Sequence, residues 1–193
     1  MFELSRALEQ ARISAGEAMA KWLRWMTAAL AFTAPVSAAD SFADLQAAYH
    51  CDVVRRLEQV YATGDPRIDL NRYLAITLPA RTHAYVQCQI FDNRRRIHCE
   101  ASSGFWLAKK GQKRTFYLPP RTVAALARLG FDTDDSAGNF NLERDVDKSA
   151  NFHPLADLML RALHDGYDAR SDMKLQFNAP FAPATPESCI PVS

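Results

Sequence analysis

His98, Glu100 and Ser102 fall at alternate positions of one stretch, so in a β-strand all three project from the same face. An imidazole, a carboxylate and a hydroxyl in a row are the raw material of hydrolysis. His98 would serve as base and Ser102 as nucleophile, which makes an envelope hydrolase one reading of the chain. Spacing argues against it. Side chains two apart on a strand are separated by about 7 Å, beyond direct hydrogen-bonding reach. The sequence also lacks a Gly-x-Ser-x-Gly nucleophile elbow. The plainer reading is a polar sheet face, shared with Gln87 and Gln89, that meets solvent or a partner. We therefore assign no catalytic residue.

Two other constellations invite a ligand. Asp132, Asp134, Ser136 and Glu143 hold positions 1, 3, 5 and 12 of a calcium-binding loop, but Ala137 stands where the loop needs glycine and a strand replaces the exiting helix. An acidic turn fits better. The five histidines (His50, His83, His98, His153 and His164) show no metal-ligand spacing, so neither metal nor cofactor is expected. Arg94, Arg95 and Arg96, together with Lys109, Lys110, Lys113 and Arg114, form two basic turns. They could draw an acidic partner or anionic head groups, although such turns are ordinarily just solvated. The chain of 193 residues carries a net charge of +1, which gives no sign of wholesale nucleic-acid binding.

The N-terminal part reads as an address. Lys21 to Arg24 precede an apolar run from Trp25 to Val36, which ends in Val36-Ser37-Ala38-Ala39. That is the pattern of a signal peptide, residues 1–39, cut after Ala38 or Ala39, with Met19 as a start of normal proportions. The alternative is a cytoplasmic chaperone or regulator that keeps this segment. Cleavage removes four basic and three acidic residues and leaves a neutral mature chain, periplasmic or secreted, with no membrane span. Four cysteines remain, and in an exported protein an even number reads as disulfides.

Tyr85 to Gly104 reads as a hairpin that organises the fold. Val86, Cys88 and Ile90 face one way, while Tyr85, Gln87, Gln89 and Phe91 face the other. A two-residue turn at Asn93-Arg94 sets Ile90 opposite Ile97, Cys88 opposite Cys99 and Val86 opposite Ala101. That turn makes 88/99 a hydrogen-bonded pair with its Cα atoms on the wider side of the alternation. Cys88 and Cys99 are then either a disulfide or two small buried thiols. A bridge between them leaves Cys51 with Cys189, which would tie the tail to the first helix.

The remaining elements follow from pattern. A helix starts at Ser41 with Leu45, Tyr49, Val53, Leu57 and Tyr61 as its apolar stripe. Arg72 to Pro79 is a strand, Phe105 to Leu107 extends the third strand, and Thr115 to Leu118 returns as a fourth. A short helix covers Arg121 to Leu129, a strand runs from Phe140 to Val146, and a helix spans Phe152 to Tyr167. Lys174 to Phe177 adds a short strand before a Pro-rich extended tail, residues 178–193. The result is a single α+β domain, residues 40–177, with an antiparallel sheet, helices packed on one face and the order α-β-β-β-(β)-α-β-α.

The stretch Leu126-Ala127-Arg128-Leu129-Gly130-Phe131-Asp132-Thr133-Asp134-Asp135-Ser136-Ala137-Gly138-Asn139-Phe140 resembles the helix, acidic turn and strand of YbjN-like proteins. Those share their fold with the Tir-type chaperones of type III secretion, and the order of elements from Ser41 to Tyr167 is similar. The resemblance implies a non-enzymatic protein-binding domain, often a homodimer, and supplies no catalytic residues. The function expected is an exported chaperone-like domain that binds a protein partner through its sheet or its basic turns. Intact mass of the chain made in a Gram-negative host, alkylated with and without reduction, checks the address. Loss of residues 1–38 or 1–39 with four protected thiols is expected; a full-length mass with four free thiols would contradict it.

Overall fold

The computed structural model describes residues 41–65, 67, 69–81, 83–108, 113, 115–146, 149–184 and 189. The signal-peptide reading, the Met19 start, Lys109, Lys110 and Arg114 lie outside them. The first helix, α1 (Phe42–Ala62), begins where Ser41 can close a capping box. Ser41 Oγ accepts the Asp44 N–H at 3.3 Å, and Asp44 Oδ2 accepts the Ser41 N–H at 2.9 Å. Leu45, Val53 and Leu57 of the stripe are fully buried, with Tyr49 and Tyr61 packed at its margin.

Three strands follow, β1 (Tyr73–Thr77), β2 (Tyr85–Phe91) and β3 (Arg96–Ala101). Then come α2 (Pro120–Arg128), β4 (Phe140–Asp145), α3 (His153–Arg161) and β5 (Gln176–Asn178). The five strands make one antiparallel sheet in the order β4-β3-β2-β1-β5. Cys88 faces Cys99, Ile90 faces Ile97 and Val86 faces Ala101. These side chains are buried with Leu74 and Ile76 against α1 and α3, where Leu155 and Met159 of α3 and Leu163 just beyond it complete the core.

The hairpin keeps the expected register with a different turn. Ser102 N–H donates to the Tyr85 carbonyl at 3.1 Å. Hydrogen-bonded pairs alternate along a ladder, so 85/102, 87/100, 89/98 and 91/96 are the bonded pairs. Cys88 and Cys99 therefore occupy a non-bonded position, where strands approach more closely, rather than the wider position a two-residue turn would give. Their Cα atoms are 4.0 Å apart and the two are joined as a disulfide, as are Cys51 and Cys189. The connection is a four-residue loop, Asp92 to Arg95, with the Arg95 N–H on the Asp92 carbonyl at 3.1 Å.

Two expected strand segments are absent. Phe105–Leu107 is a turn of 3-10 helix, because Gly104 at φ 78° swings the chain out of the sheet. Thr115 to Leu118 is irregular. Its place beside β3 is taken by β4, which pairs with β3 from Arg96 to Ala101, so that edge is already filled. The last helix ends in a π segment, Ala162–Gly166. Gly166 packs closely there: an added Cβ would stand 3.1 Å from the Leu126 side chain of α2.

Arg94 links the hairpin tip to α1. Its Nε donates to the Tyr61 carbonyl at 2.7 Å, and its Nη2 donates to the Ala62 and Gly64 carbonyls at 3.1 and 3.2 Å. Arg72 Nη2 joins them on Tyr61 at 2.6 Å. Cations are favoured on the carbonyls that a helix C-terminus leaves without partners. The tip is held at a cost, since Asp92, Asn93 and Arg94 have φ of 48°, 53° and 66°. Asp and Asn tolerate this region, whereas Arg does not. Arg94→Ala should lose about 1–3 kcal/mol in urea unfolding. Arg94→Gly should lose about 1 kcal/mol less, because glycine relieves the backbone. Equal losses would refute the strain, and no loss in either would refute the cap.

Candidate functional site

Helices cover one face of the sheet; the other carries the candidate site. The register builds it in rows across the strands. Tyr73, Gln89, His98 and Glu143 form one row, and Ala75, Gln87, Glu100 and Asn141 form the next, with Asn178 of β5 beside Ala75. Thr77 and Tyr85 begin a third row, while Phe91, Arg96 and Asp145 form a fourth at the hairpin end. Among these, Tyr73, Thr77, Gln87, Gln89, His98 and Glu100 are half-buried, with Gln89 Nε2 donating to the Leu70 carbonyl at 3.2 Å, while the alternate residues of β1 to β3 enter the core shared with α1 and α3. The face is amide and aromatic along β1 and β2 and turns acidic toward β4.

The charged side chains are fixed by one another. His98 Nε2 lies 3.5 Å from Glu100 Oε1, and its Nδ1 lies 3.5 Å from Glu143 Oε1. Arg96 forms a close ion pair with Glu143 and stacks over the Phe91 ring, 5.6 Å from its centroid. At the other end Asn139 Nδ2 donates to Tyr85 Oη at 2.6 Å and to Glu100 Oε2 at 3.4 Å. Burial first, then the Glu100 charge, raise the Tyr85 phenol, and the Asn139 hydrogen bond partly offsets them.

These contacts decide between the chemistries considered above. The imidazole of His98 is directed at two carboxylates. Ser102 lies four residues along the strand, about 13 Å away by strand rise, buried, with its carbonyl accepting the Tyr167 hydroxyl at 2.6 Å. The structure does not bring base and hydroxyl together. Nor do the calcium-type residues converge. Asp132 Oδ1 and Asp134 Oδ1 accept the backbone N–H groups of Asp134 and Ser136 at 3.0 Å each, and Glu143 is engaged by Arg96 and His98. Among the described residues there is no group of three or more His, Cys, Asp or Glu placed to hold a metal.

The first basic turn is also occupied within the chain. Arg94 caps α1, Arg95 pairs with Asp92 at 2.7 Å and Arg96 with Glu143. Of the second turn Lys113 is described and exposed. Sequence reasoning did not single out Asn139, Tyr167 or Trp106. Ser102-Ser103-Gly104 was the available signal, because a serine pair before a glycine marks the end of a strand.

Residues 51–181 match the family model described as T3SS (YopN, CesT) and YbjN peptide-binding chaperone 3. No curated protein and no solved structure matches the chain.

The tie between β3 and the last helical segment gives a pH test. Burial first, and the neighbouring Tyr85 second, push the Tyr167 phenol far above its ordinary range. In the unfolded chain that phenol titrates near pH 10. Above about pH 10 the unfolded state alone releases this proton, so stability is fully present below that pH and falls as pH rises past it. Urea midpoints between pH 8 and 11 should drop more steeply for the native chain than for Tyr167→Phe. Parallel curves would contradict this.

Proposed function

The chain belongs to the T3SS (YopN, CesT) and YbjN peptide-binding chaperone family, and from that premise we propose that it is an exported chaperone-like domain that holds an extended segment of a protein partner on the helix-free face of its sheet. A non-enzymatic, protein-binding role goes with the family. The observation that carries the face is the row structure of β1 to β3. Gln87 and Gln89 sit in its middle with Tyr73, Thr77 and Tyr85 around them. Amide side chains donate and accept hydrogen bonds without charge, and flat aromatic rings give contact area at low entropic cost. Such a surface suits many peptide sequences. Two disulfides support an oxidising compartment, and with it the export reading.

The intramolecular pairing of Arg94, Arg95 and Arg96 favours the sheet face over the hairpin tip as the docking surface. Panning a phage-displayed library of random dodecapeptides against the purified chain tests the proposal. Gln87→Lys and Gln89→Lys, which place long cations in the middle of the face, should weaken the selected peptides about tenfold or more. Ala127→Lys, on the exposed side of α2, should leave them unchanged. The opposite pattern would place the site elsewhere.

A further inference from the structure

Beyond Tyr85 the helix-free face ends in a cavity of about 180 Å³. Tyr85, Ser102 and Asn139 form the side toward the sheet, Gly104, Trp106 and Leu107 form the side toward the 3-10 turn, and His83 completes the lining. Trp106 is 69% exposed, so a large apolar ring stands in water at the mouth. It is positioned rather than loose. Ser103 Oγ donates to the Gly138 carbonyl at 2.7 Å and accepts the Phe105 N–H at 3.1 Å, which fixes the turn that carries it. The Phe105 ring meets the indole edge-on at 4.9 Å between centroids. Gly104 lets Phe116 pack closely behind the turn, since an added Cβ there would stand 2.4 Å from the Phe116 ring.

From this geometry we propose that the cavity is an anchor subsite for one aromatic side chain, Phe or Tyr, of the bound peptide. The inference rests on the peptide-binding reading above and names what that site selects. A dry cavity of about 150 Å³ suffices for a benzene ring, so this one has room for a phenyl or phenol group. The Trp106 and Tyr85 rings at its rim offer the edge and face contacts that aromatic pairs prefer. Continuity with the face sets the occupant. Tyr85 is at once the end of the third row and a wall of the cavity, so a segment lying over Gln87 reaches the cavity within about one or two residues, at 3.2–3.4 Å per residue.

The peptides selected by panning provide the test. They should share an aromatic position, and its change to Ala should weaken binding about tenfold. Trp106→Ala, an exposed substitution, should weaken the parent peptide to a similar extent and the Ala peptide less than about twofold, because the two share one contact. In a Trp22→Phe/Trp25→Phe background the remaining Trp106 emission should shift on adding the parent peptide and stay fixed with the Ala peptide. If Trp106→Ala weakens both peptides equally, or neither, while Gln89→Lys still abolishes binding, the anchor is wrong and the face remains the site. If selection yields no binding peptide, the anchor falls together with the reading beneath it.

Discussion

The register of β2 against β3 is the constraint on which the rest of the molecule depends. It sends Val86, Cys88, Ile90, Ile97, Cys99 and Ala101 into the core and leaves Gln87, Gln89, His98 and Glu100 on the helix-free side. A slip of one residue exchanges the faces. Two glutamine amides, an imidazole and a carboxylate would then meet the apolar stripes of α1 and α3. Each buried polar group left without a partner costs about 1–3 kcal/mol, and a charged group costs more. One pattern therefore both seals the core and keeps the opposite face polar.

The two helices on the apolar face are held to each other as well as to the sheet. Gln46 of α1 donates to Asp157 of α3 at 2.6 Å, the His50 and His153 rings meet at 2.8 Å, and Arg161 lies over the Phe42 ring at 4.0 Å. The end of α1 depends on groups distant in sequence, Arg94 and Arg72 on its last carbonyls. The helix is also joined to the tail by the buried Arg56, which pairs with Asp52 at 2.7 Å and donates to the Ala182 carbonyl, and by Cys51–Cys189. Contacts of this kind tie the helix layer down from both ends and leave the sheet free on its other side.

Much of the fold was legible where a repeat carried it. The period of two from Tyr85 to Ala101 determined register and faces, and the recurrence of Leu45, Tyr49, Val53, Leu57 and Tyr61 marked the buried side of α1. The misread parts were those decided by competition. Thr115 to Leu118 has strand-forming residues, but β4 already occupies the edge of β3. Phe105 to Leu107 looks extended until the positive φ of Gly104 is known. The turn at Asp92 to Arg95 was misjudged because local residue preference cannot report that Arg94 has carbonyls of α1 to bind. Of the site, the sequence supplied the rows of side chains. The cavity at Trp106 was not legible, since His83, Tyr85, Trp106 and Asn139 converge on it from separate segments.

The proposed function divides the labour between two faces of one sheet: an apolar side that packs the core and a polar, aromatic side proposed to receive a peptide. Amide chemical shifts of the 15N-labelled chain, followed while a selected dodecapeptide is added, test that division most directly. The account predicts that saturable shifts concentrate in β1, β2 and β3, at Thr77, Tyr85 to Gln89 and His98 to Glu100, with α1 and α3 little affected. Shifts confined to α1 and α3, with the sheet unchanged, would contradict it.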